Sequence, residues 1–160
     1  MSLQLSQKEK SLLMDQRTHE ETCVEKYNKC ANLAQDPQLK QLFTIHATQE
    51  QEHLNTINQI LMGQVPSVGG QQSQAQQPTP AAAQAPMNAT VPGNYNQEDS
   101  KLCKDMLMTE KYVSGAYDTA IFEFRDSNIR QVLNHIQKEE QKHGEELFQY
   151  MQTQGMYQVQ

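Results

Sequence analysis

Residues 12–62 and 102–152 of this 160-residue sequence superimpose without a gap at an offset of 90. Ten positions are identical, among them Asp15/Asp105, Glu20/Glu110, Tyr27/Tyr117, Asp36/Asp126, Glu50/Glu140 and His53/His143. The apolar positions coincide too, and they recur at helical spacing. In the first copy Leu13, Val24, Tyr27, Ala31 and Ala34 share one face, and beyond Asp36-Pro37 a second face carries Leu39, Phe43, Ile57 and Leu61. In the second copy the stripes are Met106, Val113, Tyr117, Ile121 and Phe124, then Ile129, Leu133, Ile136, Leu147 and Met151. Asp36 reads as an N-cap that accepts from free amides, with Pro37 at the first helical position, where no amide is needed. Asp126 repeats the cap, Ser6 and Glu9 form a capping box, and Gly63 and Gly155 stop their helices. The pattern predicts an all-α chain in which two duplicated αα-hairpins pack as a four-helix bundle. Helices of about 25 residues run nearly 40 Å, long enough for four inner stripes to bury one shared core.

Between the copies the composition changes abruptly. Residues 63–98 hold five of the six prolines, four of the seven glycines and eight glutamines, with no charged side chain before Glu98. Such a segment cannot bury a core, and it reads as a disordered or mobile linker. The organisation expected is one bundle over 1–160, with hairpin 1 at 7–62, the linker at 63–98 and hairpin 2 at 99–155. Two like hairpins can meet about a two-fold axis parallel or perpendicular to the bundle. A parallel axis needs only a few connecting residues, whereas a perpendicular one needs a connection of some 40 Å, well within reach of the extended linker. The length of the linker favours the crossover.

Composition narrows the partners. Charge is -6 at pH 7 with a sequence pI near 5.3, and no Lys/Arg cluster forms a phosphate-binding stripe, so nucleic acid is not an expected partner. Mean hydropathy is -0.80, 25 residues are Gln, and no apolar run approaches the roughly 20 residues of a spanning helix, so no membrane insertion is expected. The N-terminus, MSLQLSQKEK, lacks the apolar core of a signal peptide, and synthesis in the cytoplasm is expected. Three cysteines without a C-x-x-C pair read as reduced packing residues. No phosphate loop, nucleophile elbow or cysteine-nucleophile signature is present, and no residue is assigned a catalytic role.

Chemistry concentrates in the repeated polar positions. Each copy has a Glu on its first helix and, 30 residues later, a Glu-x-x-His on its second: Glu20 with Glu50 and His53, and Glu110 with Glu140 and His143. At 100° per residue, Glu20 lies within about 40° of every apolar residue in its stripe, whereas Glu21 is about 100° away. The same test turns Glu50, Glu110 and Glu140 inward. Four bare carboxylates in one core would each cost several kcal/mol to desolvate and would repel one another. Two divalent cations, each with one histidine, would satisfy all six side chains, since the i, i+3 spacing lets Glu and His of one turn reach the same ion. Chance supplies about 0.4 Glu-x-x-His pairs in a chain of this composition, so two in register carry weight. Iron and manganese both suit carboxylate and imidazole donors.

Glu20…Glu50-x-x-His53 with Glu110…Glu140-x-x-His143 resembles the ferritin-like superfamily, which includes rubrerythrin, bacterioferritin and manganese catalase. The second half resembles the spore coat protein F (Coat F) family, through Asp105-Met106-Leu107-Met108-Thr109-Glu110-Lys111, Tyr117, Asp126, Arg130-Gln131, Leu147-Phe148-Gln149-Tyr150-Met151 and Gly155-Met156-Tyr157. That likeness covers roughly residues 100–158, and the first half shares it more weakly. The resemblance implies a ferritin-like bundle and a sporulation protein made in the mother cell and deposited in the spore coat among other coat proteins, with homo-oligomers as a further association. Three functions follow as expectations. One is a coat protein with a carboxylate/histidine dimetal site. Another is a di-iron or di-manganese oxidoreductase acting on peroxide or dioxygen. The third is a metal-free helical coat adaptor. The chain departs from rubrerythrin in lacking C-x-x-C pairs for an internal electron donor, and Glu123, about 140° from Glu110, cannot add a ligand.

Other polar residues near the stripes are read as structural. His46, one turn before Glu50 with Ile136 as its counterpart, reads as a hydrogen-bonded core histidine, the alternative being a group that tunes one metal. His19 and His135 fall off the inner faces and read as solvated. Tyr27 and Tyr117, two turns from the core glutamates of their own helices, read as packing residues, with core hydrogen bonding or one-electron relay as alternatives. Cys103 reads as a small core filler.

Overall fold

The structure, a computed structural model, describes residues 3–67 and 94–157. Four helices are present among them and no strand: α1 (Gln7–Leu33), α2 (Pro37–Leu61), α3 (Gln97–Glu123) and α4 (Ser127–Thr153). Their ends are set by the expected local chemistry. Ser6 and Glu9 close a capping box on α1, Asp36 accepts from the Gln38 amide at the start of α2, and Asp126 accepts from Asn128 and Ile129 at the start of α4. Gly63 (φ +83°) and Gly155 (φ +73°) end the two hairpins in a left-handed conformation that a Cβ would strain. Helix α3 begins at Gln97, capped by the Asn96 side chain, so its first two residues fall within the segment read as linker. Most of that linker, residues 68–93, lies outside the described residues.

Most inner positions follow an alternation of three and four residues. On α1 they are Leu13, Gln16, Glu20, Cys23, Tyr27 and Cys30; on α2 they run from Leu39 through Phe43, His46, Glu50, His53 and Ile57 to Ile60. This 3.5-residue period belongs to helices that wind gently round each other, and a straight helix drifts from it by about 20° per heptad. The drift explains three corrections. Cys23, Ile60 and Ala120 are fully buried, whereas the sequence stripes had favoured their neighbours Val24, Leu61 and Ile121, which are half-buried. The apolar core forms two clusters. One gathers Leu13, Ile57, Ile60, Ile129, Leu133 and Ile136; the other gathers Leu39, Phe43, Cys103, Met106, Leu147 and Met151. Cys103 is thus the core filler expected, and Cys23, Cys30 and Cys103 are all free and buried.

Two carboxylates at the ends of the bundle establish the topology. Glu9, at the start of α1, accepts from the Arg125 backbone amide (2.9 Å) and guanidinium (3.1 Å) in the α3–α4 turn. Asp99, ninety residues on at the start of α3, accepts from the amides of Gln35 (2.8 Å) and Asp36 (2.9 Å) in the α1–α2 turn. Each hairpin therefore clamps the turn of the other, α1 runs antiparallel to α3, and the helices run up, down, down, up. The end of α2 and the start of α3 lie at opposite ends of the bundle.

Glu9 is 2% exposed. Burial opposes its charge, but hydrogen bonds from Arg125 and Ser6 outweigh this and hold the carboxyl down at about 2. A carboxyl depressed on folding stabilises fully above its ordinary value of 4.5 and loses that contribution as pH falls towards 2. Glu9→Gln should accordingly lower stability by about 1–3 kcal/mol at neutral pH. Urea unfolding of both proteins should show the gap constant above pH 4.5 and closing as pH approaches 2; a gap independent of pH would assign the effect to packing instead.

Candidate metal centre

The 3-4 period that builds the core also carries a polar layer into it. Glu20 on α1, Glu50 and His53 on α2, Glu110 on α3, and Glu140 and His143 on α4 all face inward, and none is more than 3% exposed. All six residues singled out in the sequence therefore converge. They form two overlapping groups that could hold a metal ion: Glu20, Glu50, His53 and Glu140, and Glu50, Glu110, Glu140 and His143. Within each group the potential ligand atoms lie within 4.8 Å of one another. Glu50 and Glu140 belong to both, and Glu20 and Glu110 to one each.

The histidines present Nδ1 to this layer. His53 Nδ1 is 3.1 Å from Glu50 and 3.0 Å from Glu140. His143 Nδ1 is 3.3 Å from Glu50 and 3.4 Å from Glu110. Their outer nitrogens are held from the opposite hairpin, His53 Nε2 by Glu139 (2.6 Å) and His143 Nε2 by Gln49 (2.8 Å). The tyrosines do more than pack. Tyr27 O–H donates to Glu110, and Tyr117 O–H donates to Glu20. Because α1 and α3 are antiparallel, a tyrosine two turns along its own helix comes level with the other hairpin's glutamate.

Electrostatics divide the carboxylates into two classes. Burial, with the neighbouring charges of Glu140 and Glu50, pushes Glu20 well above the usual carboxylate range, and it shares a proton with Glu50. Burial likewise pushes Glu110 up, and its proton is shared with Glu140. Burial also opposes charge on Glu50 and Glu140, but hydrogen bonds from the histidines and from their protonated partners win and bring both down. The histidines gain correspondingly. Against the cost of burial, Glu139, Glu140 and Glu50 raise His53, and Glu110, Glu140 and Glu50 hold His143 at about 11. With protons as the only cations, two acids, two carboxylates and two imidazoliums leave the layer close to neutral. With the carboxyls ionised, however, each of the four glutamates keeps one buried oxygen that makes no hydrogen bond. Acceptor atoms left bare at the centre of a core are what a cation would satisfy, and a set rich in carboxylate with two imidazoles suits Fe²⁺ or Mn²⁺.

Two of the three surrounding histidines sit as expected, and His19 does not. His46 is fully buried, bonded through Nε2 to Glu146 (2.7 Å) and stacked on His143 with ring centroids 4.3 Å apart. His135 is exposed, whereas His19 is half-buried, bonded to Gln16 and edge-on to Tyr112. Glu123 points outward and pairs with Lys8. Glu139, Gln49 and Glu146 had not been singled out. Glu139 and Gln49 carried one signal, since each immediately precedes the shared glutamate of its hairpin and they match at the offset of 90. The His46–Glu146 contact joins residues 100 apart and had no local signal.

Among the described residues, no helix is long and apolar enough to cross a membrane. No solved structure gives a significant match. The family model of the Coat F domain matches residues 98–160. The uncharacterized protein YusN of Bacillus subtilis (strain 168) is 35% identical over 69 residues, 43% of this chain and 63% of that protein. The match thus spans less than two thirds of that relative's length. The segment that builds α3 and α4 is thus similar to the Coat F domain.

Proposed function

We propose that this chain is a spore coat protein, made in the mother cell and deposited among other coat proteins, whose ferritin-like bundle holds two divalent metal ions. The Coat F match supports the coat assignment. The metal reading rests on one observation above all, the four buried glutamate oxygens that make no hydrogen bond within two overlapping ligand groups when the carboxyls are ionised. The ions would lie between Glu20 and His53 on one side and Glu110 and His143 on the other, with Glu50 and Glu140 shared. Descent of the two hairpins from one ancestral hairpin is part of the proposal. It is supported by contacts that repeat at the offset of 90, Tyr27–Glu110 with Tyr117–Glu20 and Glu9–Arg125 with Asp99–Gln35.

Bound ions would stabilise the bundle by linkage, because the unfolded chain has no such site; at one hundred times Kd the gain is about 2.7 kcal/mol per ion. The oxidoreductase reading has one observation in its favour, the phenols of Tyr27 and Tyr117 seated directly on Glu110 and Glu20. There a tyrosine could pass an electron or proton to the layer. The ions would supply redox chemistry, and the chain would supply the dry, hydrogen-bonded setting.

Elemental analysis of the full chain, purified without a metal-binding tag, should find about two equivalents of iron or manganese per chain. His53→Ala should lose about one equivalent and Glu50→Ala about two, since Glu50 serves both positions. No metal after anaerobic loading with Fe²⁺ or Mn²⁺ would refute the site and leave a metal-free adaptor. Substituting Glu50 and His53 also separates structure from catalysis in spores. Normal coat assembly with lost peroxide resistance would favour the enzyme.

Metal must displace the protons that hold the empty layer neutral: one from each of Glu20 and Glu110, and one from Nδ1 of each histidine. Loading should release up to about four protons, and affinity should weaken as pH falls. Calorimetry in buffers of different ionisation enthalpy counts the release. Binding without proton release would mean the ions sit elsewhere.

A further inference from the structure

The two halves of the centre match ligand for ligand but differ directly behind the ligands. His53 Nε2 meets a carboxylate, Glu139, at 2.6 Å. His143 Nε2 meets an amide oxygen, that of Gln49, at 2.8 Å. The two supporting residues occupy equivalent positions, so the geometry is preserved while a full negative charge is present on one side only. Glu139 is partly buried, and its second oxygen lies 3.4 Å from His135 on the next turn. A second difference follows the same division. His143 carries the stacked ring of His46, whereas the equivalent position beside His53 is the apolar Ile136. The carboxylate of Glu146 on that side bonds to His46 and not to His143.

We infer that the two ion positions are inequivalent: a divalent cation enters first at Glu20, Glu50, His53 and Glu140, and Glu139 is the positioning residue that sets this order. The inference rests on the dinuclear reading proposed above. An imidazole that ligates through Nδ1 must keep its proton on Nε2. A carboxylate acceptor holds that tautomer, makes the ring a stronger donor to the ion, and adds negative charge one ring's width from it. An amide oxygen holds the same tautomer without the charge. The centre therefore passes through a state with one ion, at His53, before it fills.

Calorimetric titration of the metal-free full chain with Mn²⁺ tests this. The wild-type protein should show two resolved steps. His143→Ala should keep the tighter step and His53→Ala should abolish it. Glu139→Gln should weaken the tighter step ten- to a hundredfold and bring the two steps together. Gln49→Glu should tighten the weaker step, a gain that damage to the fold could not produce; circular dichroism checks that the helices persist. Two ions binding with equal affinity, or a first step unmoved by Glu139→Gln, would overturn the inference and leave the dinuclear site standing. Failure of the wild-type chain to bind Mn²⁺ at all would overturn the site and the inference together.

Discussion

Four glutamates in one layer of a helical core set the terms for the rest of this structure. An ionised carboxylate taken out of water costs several kcal/mol even after relaxation, and four together repel as well. The protein meets this by making every member of the layer answer to another hairpin. Glu20 and Glu110 receive tyrosine hydroxyls from the opposite first helix. Both histidines are held at Nε2 by residues of the opposite second helix. Each hairpin brings two glutamates and one histidine, so its own imidazole can offset one carboxylate, and the remaining contacts come from the docked partner hairpin.

The register is set at the ends, far from the polar layer. Glu9 gathers the α3–α4 turn and Asp99 gathers the α1–α2 turn, each from the first turn of a helix on the other hairpin. A slip of one heptad along the contact would keep apolar residues facing apolar residues. It would also part these end carboxylates from their amides and move Tyr27 and Tyr117 about 10 Å from their glutamates. Apolar packing therefore favours docking in general, while buried hydrogen bonds select one alignment. Asp36 adds a tie of the same kind, capping α2 while accepting from the Tyr150 hydroxyl of α4 (2.6 Å).

What could be read from the chain divides along the same line. Helix ends were legible because capping is local: Ser6 with Glu9, Asp36 with Pro37, and Asp126 each act within one turn. The inward glutamates were legible because their angular position on a helix depends only on spacing. The stripes slipped by one residue at Cys23, Ile60 and Ala120, since a straight helix of 3.6 residues per turn was assumed and the packed helices follow 3.5. Contacts that depend on docking were not legible. Tyr27 looked like packing because its partner, Glu110, is 83 residues away. Glu139 was not singled out, because its bond to His53 exists only when His53 arrives from the other hairpin.

Stability alone does not account for the layer. Replacing buried charged groups by apolar residues of similar size is often neutral or stabilising, because desolvation outweighs the attraction gained. The apolar clusters on either side indicate that the same pattern could have run uninterrupted through the middle. Instead the bundle holds six ionisable side chains at its centre and, with the carboxyls ionised, leaves one oxygen on each of the four glutamates without a hydrogen bond, a shortfall that the proposed cations would make good. The outer residues then carry a further step. The six inward side chains repeat at the offset of 90, whereas Glu139 and Gln49 occupy equivalent positions with different charge, so the two halves of the layer match in geometry and differ in electrostatics.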